Sequence, residues 1–311
     1  MRPYFTPLLK VIVTLFGIYL VLQQINIEDM ILIFQQVQWG WVWLAVGLMT
    51  ASLVIRAYRW QLLLHGMGIF VPFGRLVTIY FIGNFFNAFL PSGFGGDVMR
   101  VVEIARDVPT DAAAGTVIVD RLTGLLTLFV MGLLGLPFRP AGFPLAQTWL
   151  ILSVSLSGIG VGYLLLDGRM IRRWGTRWLP QIISPVGQGA VARLLQAVQA
   201  SGWPAVWRAM GVSVLFNLIL ILWWAVSGRA LGLTIPFIHY LIVIPILSVV
   251  TLIPSIGGLG VVENVAPLLF APAGIPYEQA VALAFLTFLI LRFTSLLGAP
   301  VYLWSHWRGR S

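Results

Sequence analysis

Asp120 and Arg121 interrupt an apolar run from residue 112 to 136, and Arg292 interrupts another from 279 to 304. Asp97 and Arg100 follow directly on the cluster Gly93-Phe94-Gly95-Gly96, and Glu263 follows on Gly257-Gly258-Leu259-Gly260. Charges in such apolar text are costly, about 2.5–3.5 kcal/mol or more at mid-membrane, so each marks a candidate site. A glycine cluster that leads into a helix offers unpaired N–H groups at the positive end of the helix dipole, a setting that can hold phosphate. Arg121 and Arg292 would supply the cationic side of such a pocket, because a guanidinium grips a phosphodiester with two parallel hydrogen bonds. Asp97 and Glu263 would balance these arginines when the pocket is empty, or meet a cationic headgroup when it is loaded. Asn84 and Asn87 are three residues apart, share a helix face and would line it. Ser92 and Ser255, next to Pro91 and Pro254, complete the candidate substrate-binding set with Arg100 and Asp120.

A purely structural reading of the same residues stands beside this one. Asp97 and Arg100 have the spacing of a local helix-start pair, and Arg121 with Asp97 or Arg292 with Glu263 could pair without touching any substrate. Asp120 and Arg121 are adjacent, so they point about 100° apart and cannot both face one partner. Glu103, Arg106, Asp107 and Asp111 are expected at the surface. Pro91, Gly93, Gly95, Gly96, Pro254, Gly257, Gly258 and Gly260 shape the backbone whichever reading holds.

The elements that must position these groups follow from composition. Of 311 residues 59% are hydrophobic and 9% charged, against ~25% charged in an average soluble protein. Mean hydropathy is +0.95. This is the composition of an integral membrane protein, and it excludes a soluble enzyme, a disordered chain and a fibrous repeat. With no cysteine there are no disulfides or thiolate metal sites. His65, His239 and His306 lack metal-ligand spacing, so neither a metal nor a cofactor is expected. The net charge of +9 is read as membrane topology rather than nucleic-acid binding. Residues 1–22 have the charge pattern of a signal peptide but no small-residue cleavage site, and are kept as a membrane helix.

Six segments reach the ~20 residues a span needs: about 5–23, 40–64, 112–136, 146–166, 205–228 and 279–304. Segments 76–90 and 240–254 fall short, and each ends in Pro-Ser and glycines. Such backbone cannot face lipid with its polar groups unpaired, so both are read as re-entrant helical hairpins. Ordinary spans with glycine-rich ends are the alternative. With both termini cytoplasmic, the inside holds Arg2, Lys10, Arg56, Arg59, Arg75, Arg100, Arg106, Arg169, Arg172, Arg173, Arg177, Arg193, Arg208, Arg308 and Arg310. The outside holds only Arg139 and Arg229, the bias expected of a correctly oriented chain. In the linker 167–204, Arg169, Arg172, Arg173 and Arg177 interleave with Ile171, Trp174 and Trp178, which suits a segment lying on cytoplasmic headgroups.

The chain also repeats itself. Gly68-Ile69-Phe70-Val71-Pro72-Phe73 recurs as Gly232-Leu233-Thr234-Ile235-Pro236-Phe237, and Pro91-Ser92 recurs as Pro254-Ser255. Arg121-Leu122-Thr123 recurs as Arg292-Phe293-Thr294, and the offsets of the three pairs are 164, 163 and 171. Three spans separate the two hairpins, so the second copy is predicted upside down relative to the first. The halves run about 1–138 and 146–311. Inverted repeats of this kind are a transporter architecture with the site near the midplane.

The segment Asn84-Phe85-Phe86-Asn87-Ala88-Phe89-Leu90-Pro91-Ser92-Gly93-Phe94-Gly95-Gly96-Asp97-Val98-Met99-Arg100 resembles the signature of the flippase-like membrane family. That family includes the transmembrane flippase region of lysylphosphatidylglycerol synthase. Asp120-Arg121 and the stretch from Pro254 to Glu263 are similar to its later motifs. The resemblance spans nearly the whole chain and implies lipid translocation or lipid-linked glycan handling. It carries polar family positions onto Asn87, Asp97, Arg100, Arg121 and Glu263. No aminoacyl-transferase domain is expected after Ser311, so the lipid-modifying activity of fused relatives is expected to be absent.

The resulting expectation is a multi-pass protein of the cytoplasmic (inner) membrane, a transporter rather than an enzyme. It would move a phospholipid or polyprenyl-phosphate-linked headgroup. Membrane lipids, anionic or phosphate-linked, are the expected partners, with a lipid-modifying enzyme or a second copy of the chain as further candidates. A membrane-embedded enzyme or an accessory protein of lipid or lipid-linked glycan synthesis is the rival. No GxxxxGK[ST] motif occurs, which argues against an ATP-driven pump.

Overall fold

The computed structural model describes residues 5–89, 95–140, 142–167 and 190–308. Arg2, Pro91, Ser92, Gly93, Arg310 and the basic, tryptophan-containing stretch Arg169, Arg172, Arg173, Trp174, Arg177 and Trp178 lie outside the described residues. Among the described residues the structure is all helical. The helices are α1 (Phe5–Leu22), α2 (Ile27–Gln35), α3 (Trp39–Gly66), α4 (Phe73–Phe89), α5 (Gly95–Ile104), α6 (Thr110–Gly135), α7 (Leu145–Asp167), α8 (Ala190–Ala200), α9 (Gly202–Ala230), α10 (Phe237–Val250), α11 (Val262–Phe270), α12 (Tyr277–Leu296) and α13 (Gly298–Arg308).

Among the described residues five segments are each long and apolar enough to cross a membrane: Trp39–Gly66, Thr110–Phe138, Leu145–Asp167, Gly202–Ala230 and Tyr277–Ser305. They coincide with five of the six expected spans. The sixth, expected at 5–23, coincides with α1, whose part Leu9–Leu22 passes as apolar enough together with α2, the two meeting at a 91° bend. Polar residues cause the turn: Asn26 leaves the helix and accepts a hydrogen bond from the Glu28 backbone N–H at 2.9 Å, starting α2 in a new direction.

Helices α4 and α10 have 17 and 14 residues. At 1.5 Å per residue they extend roughly 25 and 21 Å, short of the ~30 Å hydrocarbon core. Each is followed by a second short helix, α5 of 10 residues or α11 of 9. Helix α5 lies so close to α4 that a methyl group on Gly96 would fall on the Gly83 carbonyl oxygen.

The sequence echo has a backbone counterpart. Gly68 and Gly232 both take positive φ, +74° and +73°, which glycine adopts without strain. Behind Gly68, its N–H donates to the His65 carbonyl and the Ile69 N–H to Leu64, both at 3.0 Å. Behind Gly232, its N–H donates to Arg229 at 3.0 Å and the Leu233 N–H to Gly228 at 2.9 Å. The same stop therefore closes α3 and α9, and Pro72 and Pro236 precede the next helix in each case.

Apolar packing is divided. Trp60, Leu64, Leu76, Ile79 and Ile104 join α3, α4 and α5, while Trp224, Tyr240, Ile244, Phe270 and Leu283 join α9 to α12. The polar residues of interest lie between these two regions, where α3 and α9 pack along each other. Outward-facing Trp149, Leu156, Val161 and Tyr163 on α7 remain exposed, as lipid-facing side chains are.

Several charges assigned to cytoplasmic loops are interior instead. Arg56 and Arg59 lie within α3, and Arg59 and Arg100 are 3% and 5% exposed. Specific ion pairing, described below, outweighs the cost of burying Arg59 and Arg100. Glu103, expected at the surface, is also buried, because Arg75 and Arg106 both reach its carboxylate at 3.4 Å.

Candidate functional site

Helical periodicity gathers the polar residues. On α3, Arg56, Arg59 and Trp60 fall at i, i+3 and i+4; on α4, Tyr80, Gly83, Asn84 and Asn87 fall at i, i+3, i+4 and i+7. These two stripes face Asp97 and Arg100 of α5 and Asp120 and Arg121 of α6 around a cavity of about 90 Å³.

Asp120 is its centre. The Arg59 Nε donates to Oδ1 at 2.7 Å, and the Arg100 Nη2 donates to Oδ2 at 2.9 Å, with the Tyr80 hydroxyl donating to the same oxygen. The Arg59 Nη1 donates onward to the Ser213 hydroxyl of α9 at 3.1 Å. Gly124 leaves the space that the Arg59 guanidinium fills. Arg100 is also stacked between aromatic faces, 4.0 Å from the Tyr80 ring centre and 4.3 Å from that of Trp60. Trp60 is itself fixed by donating its indole N–H to the Thr116 hydroxyl at 3.1 Å.

Asp97 receives Arg100 at 3.3 Å and pairs with Arg121. The neighbours Asp120 and Arg121 thus serve different partners, as their angular separation requires. Four arginines and two aspartates line this small cavity, an excess of two positive charges.

Arg56, Asn84 and Asn87 also line an adjoining cavity of about 240 Å³. Its opposite wall comes from the second part of the chain: Ser248 and Thr251 at the end of α10, Gly257 and Gly258, and Glu263. Phe216, Trp223, Trp224 and Phe288 supply aromatic surface.

Arg292 and Glu263 are not paired. The Glu263 carboxylate turns back to its own helix and accepts the Gly260 N–H at 2.7 Å, satisfying a donor that the start of α11 would leave free. Arg292 instead gives Nη1 to the Ala88 carbonyl at 2.7 Å and Nη2 to the Ile256 carbonyl at 3.4 Å, over the Phe288 ring. It ties the end of α4 to the second glycine segment.

Gly257, Gly258 and Gly260 all have positive φ, and Gly257 lies directly against the Arg292 guanidinium. Helix α1 supports this segment: the Thr14 hydroxyl accepts the Ile256 N–H at 2.9 Å, and the Gly17 carbonyl accepts Asn264 Nδ2 at 2.8 Å. Ser255 is buried and donates to the Ile253 carbonyl at 3.3 Å, outside the linings of both cavities, and Pro254 is exposed. Gly95 and Gly96 are buried at the start of α5.

Arg56, Arg59, Tyr80, Ser213 and Trp223 complete the site and were absent from the expected set. Arg56 and Arg59 carried a usable signal, since the rule that singles out Arg121 applies to any arginine inside a predicted span. Tyr80, Ser213 and Trp223 carried none, because one hydroxyl or indole in apolar sequence looks like packing. Among curated proteins no similar sequence is found. The family model described as Lysylphosphatidylglycerol synthase TM region matches residues 8–298, and the chain, a multi-pass membrane protein, belongs to that family.

Proposed function

We propose that the protein is a lipid transporter that shelters a phosphate-bearing headgroup, of a phospholipid or a polyprenyl-phosphate-linked lipid, while the tails stay in the bilayer. The observation that carries this reading is the cavity walled by Arg56, Asn84 and Asn87 from one part of the chain and by Gly257, Gly258 and Glu263 from the other. The adjoining arginine-rich cavity supports it, because an interior excess of positive charge in a low-dielectric setting favours an anionic guest.

In this reading the halves 1–138 and 146–311 are oppositely oriented copies, α4–α5 and α10–α11 are hairpins re-entering from opposite sides, and both termini are cytoplasmic. The matching stops at Gly68 and Gly232 support duplication. The cell's cytoplasmic membrane is the natural place for such a carrier. Alternating access would come from rocking one half against the other about the shared cavity.

Reconstitution into vesicles with headgroup-labelled lipids tests the proposal. Headgroup movement between leaflets above that of protein-free vesicles, reduced in Asn84→Ala and Asn87→Ala with the proteins still folded, is the expected result. Chemical conversion of the lipid would make the protein an enzyme, and neither movement nor conversion would leave an accessory role.

A further inference from the structure

The interior arginines divide by what holds them. Arg59, Arg100 and Arg121 each meet a carboxylate, and Arg292 is engaged by backbone carbonyls. Arg56 differs. Among the described residues it has no hydrogen bond and no ion pair, and its Nε is buried with no acceptor. Its contacts are ring faces, with the guanidinium carbon 5.5 Å from the Tyr80 centroid and 5.3 Å from that of Phe216. Aromatic faces stabilise the charge and leave the N–H edge unsatisfied.

A second donor in the same cavity wall is also unmatched. Trp223, on α9, is 5% exposed, and its Nε1 is buried without an acceptor among the described residues. Arginine and the indole N–H can only donate. Buried donors are almost always satisfied, so two orphans around one cavity call for a guest that accepts. The unprotonated oxygens of a phosphate accept, and their negative charge answers the unpaired guanidinium.

We propose that Arg56 and Trp223 are the phosphate ligands of this protein, holding the phosphate of a membrane lipid in the larger cavity. Arg121 and Arg292 then act as fixed structural charges rather than as the grip on the cargo. Asn84 and Asn87, common to both cavities, provide neutral hydrogen-bonding groups beside Arg56. The assignment deepens the transporter reading and rests on it only for the lipid as the source of the phosphate.

Binding is measured separately from transport, by native mass spectrometry of the detergent-purified full chain. The probes are phosphatidylglycerol, a polyprenyl phosphate, diacylglycerol and inorganic phosphate. The wild type is expected to hold the two phosphate-bearing lipids about tenfold or more tighter than diacylglycerol. Arg56→Gln and Trp223→Phe are expected to reduce that margin several-fold, with Arg56→Lys keeping part of it. Arg75→Gln, whose guanidinium pairs with Glu103 and Asp107, is expected to keep it whole. An unchanged margin in Arg56→Gln and Trp223→Phe overturns the assignment, as does a wild type indifferent to the phosphate group. Inorganic phosphate bound as tightly as lipid overturns the lipid as its source. Intact, Arg56-dependent binding without movement between leaflets would count against the transporter reading alone.

Discussion

Arg59 and Asp120, 61 residues apart in sequence, meet at 2.7 Å where both side chains are at most 4% exposed. Asp120 also receives Arg100, so one carboxylate joins two guanidiniums from different helices. Removing one member of a buried ion pair typically costs ~3–5 kcal/mol, because the remaining charge is stranded. Asp120→Asn strands Arg59 and leaves Arg100 with Asp97 alone. It is expected to lower the detergent-solubilised melting temperature sharply and to reduce yield. Fluorescence-detected size exclusion after heating checks this, and a wild-type midpoint would show that Asp120 does not hold α3 to α5 and α6.

Arg56 predicts the opposite. With no carboxylate to release, Arg56→Gln removes a partly buried, uncompensated charge and is expected to leave the melting temperature unchanged or raised, by up to ~1 kcal/mol equivalent. Lipid movement is expected to fall in the same variant. Loss of stability on the scale of Asp120→Asn would make Arg56 a structural residue.

Gly257 predicts coupled damage. Alanine there combines a strained left-handed backbone, about 1 kcal/mol, with a methyl group placed on the Arg292 guanidinium. Arg292 would lose its hold on the Ala88 and Ile256 carbonyls. Gly257→Ala and Arg292→Ala are therefore expected to raise hydrogen exchange in the same two places, residues 84–89 and 256–261. Exchange changes confined to 256–261 would show that the two segments are not linked through Arg292.

Gly96→Ala tests the contact between α4 and α5. The added methyl meets the Gly83 carbonyl, a backbone atom that cannot swing away, so overpacking of ~1–3 kcal/mol is expected. Asp97 and Arg100 on the same short helix would shift with it. A thermal midpoint within error of wild type would argue that α5 is free to move from α4.

Much of the fold was legible because span length and apolarity are local properties. Five expected spans fall where helices of that length occur, and the motif residues Asp97, Arg100, Asp120 and Arg121 share one cavity wall. Pairing was legible in part: Asp97 meets Arg100 and Arg121 as their spacing suggested, while the pairing expected in the second half, which depends on contacts between distant segments, does not form. Arg292 and Glu263 looked complementary in sequence, yet Glu263 is used by the start of its own helix and Arg292 by carbonyls of two segments. Counting Arg56 and Arg59 as loop charges failed for a different reason. The positive-inside rule describes residues outside the hydrocarbon and says nothing of an arginine held by another helix's aspartate, as Arg59 is, or by aromatic faces, as Arg56 is.

Gly17 of α1 rests against Gly260 so tightly that a methyl group on either would strike the other segment's backbone, and Thr14 and the Gly17 carbonyl bond to Ile256 and Asn264. The first helix is thereby the buttress of the second glycine segment. Expression designs that trim the N-terminus or replace it with a fusion partner must keep residues 14–18, or the wall of the larger cavity loses its backing.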